Sequence, residues 1–539
     1  MAMGVSIMEH IDQQLSVLFS GWSVYTTAIT VVLIAFVVYP WLTWSDPDIH
    51  PLLLSRQAYS APVRNLGESA VHRSAEAAYG YPLKTGLGIK DAGAPQWKAG
   101  RDGDLRDIWR RAAGQSVGQD GKLADQKAKV FTILGRDEII EHSPAAAYYD
   151  LTPILLPYDQ SPATVLELLR QTGPDFLIAA AGTVPLSDLA EKMPKVHEVM
   201  WVVQPGSRHM DWNEEPQGVD KHLKVSVWHE LVEGQRAATS ADLPGFTEKS
   251  QPAKDVVTVW QKEKDGSGEM VQFTQKNIVA GISALLTSLP PRQRLNPSDL
   301  FLPADALSFI YPLTLTLAAL FSGASLALNS VAGPGADLTL ASRGVAPTVI
   351  AISAETAAAA HEKAQARGGG ILSKISHWLH SRTLAAGHLP QTVQSLFTSI
   401  NNDTAPATAT TPGKLRILYV SDRAQTSCPA LSSTTLSDLR IYAGARVIYA
   451  LTAAKVAGAI AQTNIYDYRR DEDPSATHAH FGVPLSSLEI KLVDTPTHKT
   501  TDEGRPQGEI IVTGPSVAGG EAALGVVGAF REDGTLAYV

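Results

Sequence analysis

Residues 256–277 read VVTVWQKEKDGSGEMVQFTQKN, and the frame of this stretch decides the fold. The apolar run from Val256 to Trp260 is rich in β-branched residues and reads as a buried strand. A polar turn with Gly266 and Gly268 follows. Phe273-Thr274-Gln275-Lys276-Asn277 then opens an apolar segment, 278–289, of helical character. A strand, a glycine turn and a helix start, in that order, make the frame of a phosphate-holding loop, because free N–H groups at a helix N-terminus attract anions. Whether the loop still holds a phosphate decides whether the chain is an enzyme.

The same alternation extends on both sides. Strands are expected at 130–134, 152–156, 176–181 and 198–203, with helices at 162–172 and 186–192 between them. Further strands at 348–352, 415–420 and 446–450 alternate with helices at 354–366 and 436–443. This implies an α/β fold with a mostly parallel sheet covered on both faces. The apolar segment 311–328, broken by Pro312, Ser322 and Gly323, reads as core. Residues 371–382 set Ile371, Leu372, Ile375, Trp378 and Leu379 on one side, an amphipathic helix expected to pack on the body. Residues 384–413 read as a flexible insertion.

The composition bounds the function. A chain of 539 residues with 44% hydrophobic content can build a sizeable core. Its net charge of −9 lacks the basic footprint of a nucleic-acid binder, so no nucleic-acid partner is expected. The single cysteine, Cys428, excludes an intrachain disulfide framework. His478 and His480 lack a third nearby ligand, so no metal site is expected.

Residues 23–43, SVYTTAITVVLIAFVVYPWLT, carry no charge and are flanked by Trp22, Tyr25, Tyr39, Trp41 and Trp44. Length and aromatic flanks predict a transmembrane helix over 22–44. No Lys or Arg precedes it, and Arg56, Arg64 and Arg73 follow. The positive-inside rule then predicts a short lumenal N-terminus, 1–21, and a main domain in the cytosol; the endoplasmic reticulum is the expected membrane. Residues 45–128 read as a juxtamembrane linker. Within it, the mixed charge of 104–111 suggests a short helix with a solvated face.

From residue 129 to the end, ordered pieces resemble the large domain of the adenylate-forming, AMP-binding superfamily of acyl-CoA synthetases and relatives. Phe273-Thr274-Gln275-Lys276-Asn277 is similar to the helix start after that family's phosphate loop. Gly482-Val483-Pro484, Lys491-Leu-Val-Asp494, Gly508-Glu509-Ile510-Ile-Val-Thr-Gly514-Pro515 and Asp533-Gly534-Thr-Leu536 are similar to the end of its large domain. The helix at 371–382 looks most like the long-chain branch. The resemblance implies a large domain over 129–539 with mixed, mostly parallel sheets flanked by helices, binding ATP and a carboxylate in active members. The small C-terminal domain of those members is expected to be absent.

The resemblance also sets what the residues must do. It places Gly268-Glu269-Met270 where active members carry Pro-Lys-Gly. A carboxylate facing a polyphosphate at 4 Å costs on the order of 4 kcal/mol at an effective dielectric of 20. A charged, solvated hairpin explains the loop more simply. The family's YGxTE loop, with a Tyr on adenine and a Glu on magnesium, is matched to Tyr466-Asp467-Tyr468-Arg469-Arg470. Arg470 cannot ligate magnesium, which takes oxygen donors; Asp471, Glu472 and Asp473 are the nearest substitutes. The Asp that holds ribose falls near Val526 or Val527.

No catalytic residue is therefore assigned. Gly266, Gly268, Thr274, Tyr466 and Asp467 are the vestigial nucleotide-site candidates. The expectation is a membrane-anchored, inactive acyl-CoA-synthetase-like scaffold or regulatory binder in lipid metabolism. It would meet the membrane through 22–44, take unidentified protein partners and bind an acyl ligand. The alternatives are an active ATP- and Mg-dependent fatty acyl-CoA ligase with divergent motifs, and a nucleotide or acyl-lipid sensor without turnover.

Overall fold

The computed structural model describes residues 20, 22–42, 46–90, 94–95, 97–112, 130–133, 147–148, 151–157, 160–203, 223–235, 253–329, 331–367, 370–390, 415–471, 476–501 and 505–539. Two compact units divide the chain, Met1–His50 and Pro51–Val539.

In the first unit, helix α1 (Val24–Leu42) has 19 residues. At 1.5 Å per residue it is about 28 Å long, short of a hydrocarbon core of about 30 Å. Its start is rich in hydroxyls that bond locally: Thr27 Oγ1 to the Ser23 carbonyl at 3.2 Å and Thr30 Oγ1 to the Thr26 carbonyl at 2.8 Å. Among the described residues no helix is long and apolar enough to cross a membrane. This overturns the expected transmembrane helix over 22–44. The single-pass placement, with a lumenal N-terminus and the main domain in the cytosol, falls with it.

The second unit opens with β1 (Ala58–Ser60), β2 (His72–Ser74) and α2 (Leu105–Ala112). There follow β3 (Val130–Ile133), β4 (Ile154–Leu155), α3 (Pro162–Thr172), β5 (Phe176–Ala180), β6 (Glu198–Val202) and β7 (Lys224–Val227). A hairpin of β8 (Val256–Gln261) and β9 (Gly268–Phe273) leads into α4 (Gln275–Thr287). The middle of the unit comprises β10 (Leu300–Pro303), α5 (Ile310–Phe321), β11 (Ser325–Asn329), β12 (Val349–Ser353), α6 (Ala354–Arg367), α7 (Ile371–Ala385), β13 (Ile417–Arg423), α8 (Ser433–Ala443) and β14 (Arg446–Thr452). Then come β15 (Ala461–Gln462), β16 (Val483–Pro484), β17 (Glu489–Val493), β18 (Gln507–Thr513), β19 (Glu521–Phe530) and β20 (Leu536–Tyr538).

The main sheet has the order β16-β15-β14-β13-β12-β10-β11-β3. It is parallel from β14 to β3, with β15 and β16 antiparallel at one edge. Every residue of β10, β12 and β13 is buried, as an apolar strand covered on both faces requires. Helix α5 is apolar all round and buried along its whole length, so it forms the core expected of 311–328. A second, antiparallel sheet has the order β1-β2-β17-β18-β19-β20.

Two local expectations are revised. Residues 104–111 do not offer a solvated charged face. In α2, Leu105, Arg106, Asp107 and Ile108 are buried, with Arg106 paired to Asp104 and Asp107 to Arg101. A charge can go inward when a neighbour pairs with it. Helix α7 does not turn its apolar side to the body either. Ile371, Ile375, Trp378 and Leu379 are exposed, while Leu384 is buried and His377 bonds to Asp438 of α8. Periodicity shows which residues share a face, and anchoring contacts decide which face docks. The part of the expected insertion over 391–413 lies outside the described residues.

Candidate functional site

In an open parallel sheet, ligands bind outside the carboxyl ends of the strands, where the chain reverses its direction of travel across the sheet. Here β10 lies between β11 and β12, and the chain crosses from β11 over β10 to β12. The switch point is the carboxyl end of β10 and β12. Residues 304–309, 353–355, 421–428 and 452–458 gather along this edge, with the hairpin β8–β9 beside them.

That edge is filled by side chains. Asp305 follows β10 and is 1% exposed; its carboxylate accepts from the Ala306 N–H at 2.8 Å and the Ser421 hydroxyl at 3.3 Å. Glu355 stands in the first turn of α6, where the helix dipole favours an anion. The Arg423 guanidinium donates to it at 2.6 Å and the Cys428 thiol at 3.2 Å. Arg423 also covers the Phe309 ring at 4.5 Å. Burial pushes Asp305 upward. It opposes the charge of Glu355 too, but the Arg423 cation together with hydrogen bonds from the Glu355 N–H, Cys428 and Ser353 outweighs it and holds Glu355 below the ordinary carboxylate range. Burial pushes the Cys428 thiol up to about 11, so it is a poor nucleophile at neutral pH.

The phosphate-loop position is a closed hairpin. Trp260 of β8 packs edge-on to Phe309 at 6.0 Å. The Asp265 carboxylate accepts from the Ser161 N–H at 2.6 Å, and the Asp265 N–H donates to Gln160 Oε1 at 2.8 Å. Gly266 is the turn residue whose carbonyl accepts from Gln261 Nε2 at 2.9 Å. Gly268 lies on β9, where a Cβ would stand 2.3 Å from Val259 Cγ1 and 3.1 Å from Leu168 Cδ2, so it serves packing on α3. Glu269 pairs with Lys455 at 3.1 Å, just beyond β14.

Thr274 caps α4. Its hydroxyl accepts from the Asn277 N–H at 3.2 Å, and Asn277 Oδ1 accepts from the Thr274 N–H at 2.9 Å. The Asn277 amide reaches the carbonyls of Pro515 and Val517 at 2.8 and 3.0 Å. Thr274, Lys276, Gly514 and Gly519 border an open groove of about 410 Å³.

Tyr466 and Asp467 belong to other surroundings. Tyr466 is half-buried under the Arg446 guanidinium, 5.2 Å from its ring. Asp467 is 2% exposed and accepts from Gln57 Nε2 at 3.0 Å and from Arg469 at 2.6 and 2.8 Å. Arg469 also reaches Asp533 at 2.7 Å. Burial opposes the Asp467 charge, yet the Arg469 hydrogen bonds and the His480 ring nearby take its pKa down to about 2. These residues form a buried structural network, not an exposed charged loop. Asp471 pairs with Arg531, while Glu472 and Asp473 lie outside the described residues. His480 is buried 3.6 Å from Asp467, and among the described residues no group of three His, Cys, Asp or Glu could hold a metal ion. Glu269 thus reaches the strand edge through Lys455, Gly266 and Gly268 serve the hairpin and its packing on α3, Thr274 borders the adjoining groove, and Asp467 belongs to a separate network.

One motif escaped the reading of the sequence. The Tyr-x-x-Thr spacing, which fails at Tyr466 because Arg469 stands at the Thr position, occurs at Tyr449-Ala-Leu-Thr452, at the carboxyl end of β14 beside the crevice. Ala450 and Ala453 stand at the glycine and glutamate positions. Tyr449 is fully buried and donates to Asp422 at 2.6 Å, and Thr452 Oγ1 donates to the Asp422 carbonyl at 2.8 Å. The signal was available: a complete Tyr-x-x-Thr ending an apolar strand outranks a lone Tyr in a charged stretch. Where the resemblance implies a magnesium-ligating Glu, Ala453 and Arg470 supply no side-chain oxygen.

Residues 269–520 match the family described as AMP-binding enzyme. The uncharacterized protein YHR045W of Saccharomyces cerevisiae is 22% identical over 589 residues, covering 96% of this chain and 99% of the yeast protein. Among solved structures, a benzoate CoA ligase from Burkholderia xenovorans is 15% identical with a TM-score of 0.48, covering 84% of this chain and 77% of that one. The A domain of carboxylic acid reductase from Segniliparus rugosus is 13% identical with a TM-score of 0.49, covering 90% and 70%.

Proposed function

We propose that this chain is a catalytically silent relative of acyl-CoA synthetases, acting as a scaffold or regulatory binder in lipid metabolism. The observation that carries the reading is the filled switch-point crevice: Arg423, Glu355 and Asp305 occupy the edge where a nucleotide would have to lie. The donor set beside it agrees. Glu269 stands where a polyphosphate needs a cation, and Ala453 and Arg470 offer magnesium no oxygen. The setting in lipid metabolism is supported by the likeness of residues 371–382 to the long-chain branch. The decisive assay is ATP–pyrophosphate exchange with magnesium and a panel of fatty acids, expected at background. Clear exchange above background with any acid would overturn the proposal in favour of a divergent ligase. Thermal stabilisation by ATP or an acyl-adenylate analogue, without exchange, would mark a sensor instead.

A further inference from the structure

Helix α7 is inverted relative to an ordinary surface helix. Its docked side holds Leu384 and His377. Leu384 packs with Ile441 and Tyr468, and His377 Nε2 lies 3.0 Å from Asp438. At 100° per residue, Ile371, Ile375, Trp378 and Leu379 fall on the opposite side. Ile371 is 79% exposed, and Ile375 and Trp378 are about half exposed. Large apolar side chains grouped on one outward stripe call for an occupant.

The charge pattern selects that occupant. The chain as a whole is acidic, with a net charge of −9, yet no Asp or Glu occurs between Glu362 and Asp403. Lys374 and Arg382 flank the stripe, and the Arg382 guanidinium lies over the Trp378 ring at 5.1 Å. An apolar face carrying Trp, bordered by cations and free of acids, matches a headgroup boundary, where indole sits among polar groups and lysine and arginine meet phosphate. An acyl-chain interior is not needed: a helix lying in the plane buries only its outward stripe.

The geometry points to an anionic lipid surface as the partner of α7, which lies flat on it through Ile371, Ile375, Trp378 and Leu379 while the body stays outside. This contact is peripheral and needs no membrane span. The full-length chain is floated with phosphatidylcholine vesicles, and with vesicles containing about 30 mol% phosphatidylserine, at low and high salt. The expected result is binding to the anionic vesicles that weakens with salt. Ile375→Asp/Trp378→Asp and Lys374→Glu/Arg382→Glu should each reduce it by about tenfold or more, with an unchanged unfolding midpoint because these residues are exposed. Absent binding, equal binding to neutral vesicles, or equal binding by the variants overturns the inference. So does a dimer in sedimentation velocity that Trp378→Asp dissociates, which would make a second copy the occupant.

Discussion

At the residue scale, two titratable groups, one buried and one partly buried, oppose each other across the same pH range. The His72 ring stacks on Phe530 at 3.6 Å, and burial lowers its pKa to about 4 although the Ala70 carbonyl accepts from it. Asp422 lies under Tyr449, and burial raises its pKa to about 6 despite the Tyr449 hydrogen bond. For His72 the unfolded chain binds more protons between about pH 4 and 6.5, so its contribution to stability grows with pH. For Asp422 the folded chain binds more protons between about pH 4 and 6, so its contribution shrinks with pH. Each slope reaches at most about 1.4 kcal/mol per pH unit. Urea unfolding of wild type, His72→Phe and Asp422→Asn across this range should expose them. The stability of wild type minus His72→Phe should rise with pH, and that of wild type minus Asp422→Asn should fall. Parallel curves for all three proteins would contradict the assignment. Neither shift was legible in the sequence, because each depends on burial by strands distant in the chain.

At the element scale, α4 was the most legible piece. Thr274 followed three residues later by Asn277, ahead of an apolar run, reads as a helix start, and the capping box is present. The hairpin before it was only half legible. A strand and a glycine turn were expected, but β9 was not, since its GEMVQF run carries exposed Glu269 and Met270. Thr274→Ala should cost about 1 kcal/mol, the usual loss for an N-cap. Asn277→Ala should cost more, about 2–3 kcal/mol, because it also deprives the Pro515 and Val517 carbonyls of their donor. Thermal and urea denaturation rank the two; a reversed order would mean the tie to 515–517 carries no stability. In α7 the face was legible and its direction was not, because hydropathy says nothing of the His377–Asp438 anchor.

At the scale of the whole molecule, the filled crevice is a stability element as well as a block. Arg423→Ala leaves the buried Asp305 and the partly buried Glu355 without their Arg423 partner, at a cost of about 3–5 kcal/mol. Glu355→Ala added to it should cost much less than the sum, since one of the stranded charges goes too. Additive losses in a urea double-mutant cycle would show that the two side chains do not act together. Neither variant should gain ATP–pyrophosphate exchange, as Glu269 and Ala453 remain in place.

The sequence by itself determined the alternation of strands and helices, the buried α5, the start of α4 and the likeness to AMP-binding enzymes, because these follow from local periodicity and from the order of short motifs. The three-dimensional arrangement decided the rest. It closed residues 256–277 into a hairpin pinned to Gln160 and Ser161, joined Glu269 to Lys455, and drew Arg423 onto Glu355 across the carboxyl ends of the strands. It also placed Asp467 in a buried network and turned the apolar side of α7 outward. Charges remote in the chain pair only where strand order brings them together, so a sequence can display an acidic residue at a phosphate position without revealing the cation that neutralises it.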